Sequence, residues 1–243
     1  SVDLAIAQLT MMPDRTEDVL FSEAYFIAHA AVLHRAALAF DAAFRGAVGV
    51  VAGRAPALRV WGHFPAANVQ YYDRPEEAIA ALRTGTAELV FDDDVMLQQF
   101  ASDDFVLSTI PAPEQPFGVA VPLGSRSLLN AVDRALRDFK KQRPELPSGH
   151  NRKNISGIGR TGADAGHVPD MDKSLQAIRR HGALRVGIHP GVEGLCMPDG
   201  NGSYRGLEPE IARHIARFIL GSETAVRFVP LSSKQALTAT RSW

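Results

Sequence analysis

Apolar residues in this chain come in short unbroken runs, set apart by glycine, proline and charge. They alternate with stretches in which apolar positions recur every three or four residues. Residues 2–9 (VDLAIAQL), 47–53 (AVGVVAG), 66–73, 87–94 (AELVFDDD), 105–109, 117–122, 183–190 and 225–231 read as strands. Residues 28–35 are strand-like, although their alanines also suit a helix. Helical spacing predicts helices over 74–85, 127–142, 173–182 and 204–221, with another beginning at 232. Segment 74–85 has Pro75 in its first turn, two early glutamates and Gly85 as its stop, the expected asymmetry of helix ends. In 127–142, Leu128, Leu129, Val132, Ala135, Leu136 and Phe139 make one stripe. Shorter helical readings fall on 38–46 (LAFDAAFRG), on 54–61 after the glycine turn at Gly53, and on 95–102 (VMLQQFAS). Alternation at this pace predicts an α/β chain built on twisted sheets. Residues 144–172, rich in Gly, Pro and polar groups and without periodicity, read as a linker or long exposed loop.

At 243 residues the chain has mass for one large or two small domains. A formal net charge of −1 argues against a general nucleic-acid binder. The single cysteine, Cys196, excludes an internal disulfide and a cysteine-based zinc site. No apolar run reaches the length of a membrane span, and no signal peptide is evident.

Candidate chemistry gathers at two strand ends. After the first strand comes TMMPDR, residues 10–15, where Pro13 breaks regular structure. The Thr10 hydroxyl and Arg15 guanidinium are suited to one carboxylate there; the alternative is a surface arginine after a turn. Asp92, Asp93 and Asp94 form the densest polar cluster, open to three readings: a solvated strand end and helix cap, a seat for an organic cation, or a metal site. The start of the helix after Gly53, at Arg54, is a weak candidate anion seat. The eight histidines are scattered and form no HExxH pattern, and Cys196 sits in a turn, GLCMPDG, without an adjacent base. The basic residues 150–153 are a minor nucleic-acid candidate, and GIGRTG lacks the lysine-serine ending of a phosphate loop.

VDLAIAQLTMMPDRTEDVLFSEAYF resembles the central segment of the extracellular solute-binding proteins of amino-acid ABC transporters, where a strand, a Thr-rich turn and an arginine precede an FSxPY segment. VGVVAG, PEEAIAALRTGTAELVFDDDVML and PFGVAVPLGSRSLLNAVDRAL follow in that family's order. LRVGIHPGVEGLCMPDGNGSYRGLEPEIARHIARFILGSETAVRFVPLSSKQALTA resembles the family's first half, yet stands last. Joining Trp243 to Ser1 restores the family order. The resemblance therefore implies a two-lobed, type II periplasmic-binding-protein-like α/β fold in circularly permuted order, with lobes joined by two hinge strands and a ligand cleft between them. Lobe one would hold 1–27, 117–143 and 173–243, lobe two 30–112, and 144–172 would link the family's usual termini. A domain-swapped homodimer is the alternative arrangement.

On the same resemblance, Thr10 and Arg15 match the positions holding a ligand α-carboxylate. Gln8 stands where a small residue usually gives backbone contacts. Asp93 matches the acid taking the α-ammonium, with Asp92 and Asp94 as register alternatives. Arg54 and Ala55 replace the Ser/Thr after the glycine. The stacking aromatic falls near Gly194 or Leu195 and is absent, Ala236 replaces an arginine, and Met12 replaces a hydroxyl. The implied ligand-binding set is Gln8, Thr10, Arg15, Arg54, Asp93 and Leu195, with no cofactor, metal or catalytic residue. The implied function is binding an amino acid or related zwitterion or carboxylate for uptake or sensing. A membrane transporter or receptor would be the partner, and the location extracytoplasmic. A noncatalytic partner-binding scaffold and an arogenate/prephenate dehydratase-like lyase are the alternatives.

Overall fold

The structure, a computed structural model, describes residues 1–146 and 173–240. In chain order it contains β1 (Leu4–Ile6), β2 (Val19–Ala28), β3 (Ala30–Arg35), β4 (Ala47–Val51), α1 (Ala55–His63), β5 (Asn68–Tyr72), α2 (Pro75–Thr84), β6 (Leu89–Asp93), α3 (Asp94–Leu97), β7 (Phe105–Thr109) and β8 (Gln115–Pro122). Then come α4 (Arg126–Lys141), α5 (Ser174–His181), β9 (Leu184–Ile188), β10 (Met197–Pro198), β11 (Tyr204–Arg205), α6 (Leu207–Leu220), β12 (Val226–Pro230) and α7 (Ser233–Thr238). The chain divides into two compact units, Ser1–Ile27 with Pro116–Trp243, and Ala28–Gln115. It is a two-lobed α/β fold, and the chain passes between the units twice.

The first unit is built on a five-stranded sheet in the order β12-β9-β1-β8-β2. β9 runs parallel to both β12 and β1, while β8 is antiparallel to β1. β1 carries Leu4, Ala5 and Ile6 without exposure, and β8 is buried along all eight residues. Continuous apolar runs are what a strand covered on both faces requires. The stripe of α4 is buried as its spacing predicts, and Asp133 on the same face is satisfied by the Glu23 backbone N–H at 2.8 Å. The N-terminal segment lies beside the C-terminal one: Val2 N–H points at the Ala239 carbonyl at 3.4 Å, and Asp3 N–H donates to Arg185 O at 2.8 Å.

The second unit has its own five-stranded sheet, β5-β4-β6-β3-β7. β4 is parallel to β5 and β6, and β3 is antiparallel to β6 and β7. Alternation along β3 serves both faces. Ala30 and Val32 join a core with Val60 and Phe64 from the α1 side, while Ala31 and Leu33 join one with Ala78, Ile79 and Leu82 of α2. α2 starts with Glu77 accepting the Arg74 backbone N–H at 3.3 Å and Arg74 Nε at 2.9 Å, and stops at Gly85, whose φ of 80° needs glycine.

Three expectations need correction. Residues 38–46 form turns rather than a helix. Leu38, Phe40 and Phe44 instead pack against the core beside Phe64, so tertiary contacts anchor a segment too short to hold a helix by propensity. Segment 95–102 yields only the single turn of α3 and a 3-10 turn at Gln98–Phe100. Pro13–Arg15, left without regular structure by the reading of Pro13, is itself a short 3-10 turn, with proline where a first-turn N–H has no partner to lose. The segments 150–153 and GIGRTG lie outside the described residues, as does most of 144–172. Among the described residues no helix is long and apolar enough to cross a membrane.

Candidate functional site

Thr10 follows β1 in the first unit, tied to Phe117 by an isolated bridge and 1% exposed. The 3-10 turn then folds Arg15 back, so that its Nη1 donates to the Thr10 carbonyl at 3.0 Å. Arg15 is 5% exposed, which overturns the reading of a surface arginine. A buried guanidinium is the donor that a carboxylate pairs with most strongly.

Gln8 plays a different part from a small backbone-contact residue. Its φ of 48° is the one positive value among the described non-glycine residues, a conformation costing about 1 kcal/mol or more for an L side chain. Glu208 compensates. Its Oε1 accepts the Gln8 backbone N–H at 2.9 Å, and its Oε2 accepts Gln8 Nε2 at 2.7 Å. Gln8 Nε2 also donates to the His189 carbonyl at 3.1 Å. Tyr25 OH donates to Glu208 Oε1 at 2.5 Å. Glu208 and Tyr25 have no exposure. Burial first, and the Glu208 carboxylate second, push the Tyr25 phenol well above its ordinary value. Sequence reasoning missed both partners. The one available signal was a glutamate just past a glycine at the start of an amphipathic helix, which reads equally well as a cap.

Leu195 is 2% exposed and works through its main chain: its carbonyl accepts the Glu208 backbone N–H at 3.0 Å. Gly206 passes so close that an added Cβ would lie 2.6 Å from that carbonyl, at a φ of 113°. Cys196 is buried, and burial followed by the charge of Glu208 raises its thiol to about 12. A thiol so poised is a poor nucleophile at neutral pH.

The other candidates meet in the second unit. β6 runs out in Asp92 and Asp93, each 1% exposed, so the solvated strand-end reading fails for these two. Gly53, at φ 85°, turns the chain after β4 and puts Arg54 at the N-cap of α1. Arg54 Nε donates to Asp92 Oδ1 at 2.8 Å and Nη2 to Asp93 Oδ2 at 3.2 Å. Asp92 Oδ1 also accepts the Asp93 backbone N–H at 2.8 Å. Asp94 turns elsewhere: it accepts the His29 backbone N–H at 3.0 Å, and its other oxygen lies 3.2 Å from His29 Nδ1. The three adjacent aspartates therefore have two different surroundings. Among the described residues no group of three or more His, Cys, Asp and Glu is placed to hold a metal ion.

No family model matches the chain. Sequence comparison finds a putative amino-acid ABC transporter-binding protein of Escherichia coli, YhdW, 32% identical over 69 residues, covering 28% of this chain and 20% of that protein. The ABC transporter glutamine-binding protein GlnH of Bacillus subtilis is 24% identical over 145 residues, covering 57% of this chain and 53% of that one. The chain is related to the amino-acid ABC-transporter binding proteins. The matches span between 20% and 53% of these two relatives' lengths. Among solved structures, the ancestral amino-acid-binding protein AncCDT-1, described as a precursor of cyclohexadienyl dehydratase, superimposes with a TM-score of 0.51 at 22% identity. That likeness covers 58% of this chain and 64% of the ancestor, and it concerns the fold.

Proposed function

We propose that this chain binds a small polar solute, an amino acid or related carboxylate, without transforming it. The observation carrying this reading is the buried Arg15 guanidinium held against Thr10 in the first unit. The binding proteins related in sequence, one named for glutamine, support the same ligand class. In this reading Thr10 and Arg15 take the carboxylate, and Gln8 and Leu195 shape the backbone beside them. The partner is a membrane transporter or receptor, as the transporter-binding names of its relatives support, and the protein works outside the cytoplasm.

The element order is a circular permutation of the family's. The adjacency of Val2 and Ala239 supports it. The chain is then a monomer in solution, and light scattering showing a dimer would favour the domain-swapped arrangement instead.

Titration calorimetry against a panel of L-amino acids and small carboxylates tests the function. Arg15→Ala should weaken a measured affinity by about 1.5–3 kcal/mol, the worth of a charge-assisted pair, and Arg15→Lys should recover part of it. Unchanged affinity in Arg15→Ala removes the carboxylate role. Phenylpyruvate formation from prephenate would replace binding with lyase chemistry.

A further inference from the structure

We infer that Asn201 is a self-modification site: its side-chain amide is lost through a cyclic imide formed with the Gly202 backbone, leaving an aspartyl or isoaspartyl residue in the β10–β11 hairpin. The reaction needs no solute and no second protein. The sequence holds five asparagines, Asn68, Asn130, Asn151, Asn154 and Asn201, and only Asn201 is followed by glycine. Without a Cβ on the following residue, the backbone nitrogen reaches the amide carbon with least hindrance. Asn201 and Gly202 are both exposed, at the tip of the loop joining β10 to β11. Among the described residues neither the Gly202 N–H nor the Asn201 carboxamide has a hydrogen-bond partner. No atom lies within 4 Å of where a Cβ on Gly202 would stand. The attacking nitrogen, the carbon it attacks and the space around them are all open to water and base.

Base removes the Gly202 amide proton, and that nitrogen bonds to the Asn201 side-chain carbonyl carbon. The bond from this carbon to the side-chain nitrogen breaks, and ammonia leaves after taking up a proton from water. Water then opens the ring. Attack at the side-chain carbonyl gives aspartate; attack at the backbone carbonyl gives isoaspartate, with the chain running through the side chain. Asp199 also precedes a glycine, but its Oδ1 accepts the Asn201 and Ser203 backbone N–H groups at 2.8 and 2.9 Å. Those bonds hold its carboxyl below the ordinary carboxylate range, and an ionised carboxylate is a poor electrophile. Asn68 and Asn130 are exposed too, but the next residues, Val69 and Ala131, carry a Cβ and lie inside β5 and α4. The products disturb the hairpin. Asp199 N–H closes the loop on Ser203 O at 3.0 Å, and isoaspartate adds a backbone methylene within it. Either product also places a carboxylate two residues from Asp199. Arg213 of α6 donates to Ser203 Oγ at 3.2 Å and to Tyr204 O at 2.7 Å, so the change reaches that helix.

The test incubates the full folded chain in mildly alkaline buffer and follows each asparagine peptide by mass spectrometry, with isoaspartate counted by its specific methyltransferase. Asn201 should convert roughly ten-fold faster than Asn68 and Asn130, whose following residues carry a Cβ. The rate should rise with pH, because the nitrogen must lose its proton first, and isoaspartate should accumulate beside aspartate. The folded rate should stay within about ten-fold of the rate in urea, as expected at an exposed loop tip. Asn201→Gln keeps an amide in the loop but needs a larger ring, and should abolish the fast conversion. Conversion of Asn201 no faster than that of Asn68 or Asn130 overturns the inference. So does a folded rate far below the rate in urea, which would mean that the fold shields the site. Aspartate formed without isoaspartate overturns the cyclic route. The wild-type measurements decide all three outcomes, whatever the stability of the variant.

Discussion

Replacing Glu208 by alanine removes three buried hydrogen bonds at once, from the Gln8 backbone N–H, Gln8 Nε2 and Tyr25 OH, at 2.9, 2.7 and 2.5 Å. Hydrogen bonds to a charged group contribute roughly 1.5–3 kcal/mol each. Simple addition overshoots, because the variant also removes a buried carboxylate whose desolvation opposed folding. Breaking a buried charged network on one side costs about 3–5 kcal/mol, and that is the expected loss for Glu208→Ala. Set against a typical total of about 5–15 kcal/mol, this brings the first unit close to its limit. Glu208→Gln keeps the shape and one good acceptor but turns an N–H toward the Gln8 donors, and should cost about 2 kcal/mol. Because the chain has two units, one denaturation midpoint does not isolate the effect. Native-state hydrogen exchange should be read separately over β9 and α6 in the first unit and over β4 and β6 in the second. Protection should fall in β9 and α6 and hold in β4 and β6. A loss below about 1 kcal/mol in Glu208→Ala, or an equal loss in both units, refutes the claim that this carboxylate compensates the strained Gln8 backbone.

Other perturbations probe the same surroundings. Gln8→Ala and Gln8→Gly both lose the side-chain bonds from Nε2 to Glu208 and the His189 carbonyl while keeping the backbone N–H bond to Glu208, but only glycine relieves a φ of 48°; the alanine variant should be less stable by about 1 kcal/mol in urea unfolding. The Tyr25 phenol is raised in the folded state by burial and by Glu208. Above about pH 10 the unfolded chain therefore loses that proton first and stability declines as pH rises, whereas below pH 10 this group adds no slope. Tyr25→Phe should flatten the alkaline decline seen in thermal melts. Cys196, with its thiol pushed up to about 12, should stay unlabelled by a disulfide reagent at pH 8 in the folded protein and react fully in urea; rapid native labelling would contradict its burial.

The chain's own pattern determined most of the elements. Uninterrupted apolar runs marked β1, β4 and β8, because a strand covered on both faces has no polar side to show. Three- and four-residue spacing marked α4 and α6, and proline and glycine marked the ends of α2. Local signals of this kind depend on neighbours within a few positions. The strand-end locations of Thr10, Arg15 and the aspartate cluster were legible for the same reason. Only the tertiary structure decided what those groups face. Gln8 and Glu208 are 200 positions apart, and Arg54 and Asp93 are 39 apart. No periodicity encodes such pairings, since they arise when strands of a sheet come into register. Residues 38–46 show the same limit from the other side: their helical spacing was real, but contacts with Phe64 outweighed it. Burial converted Arg54 from a candidate anion seat into a fixed partner of two carboxylates, and burial is a property of the whole fold.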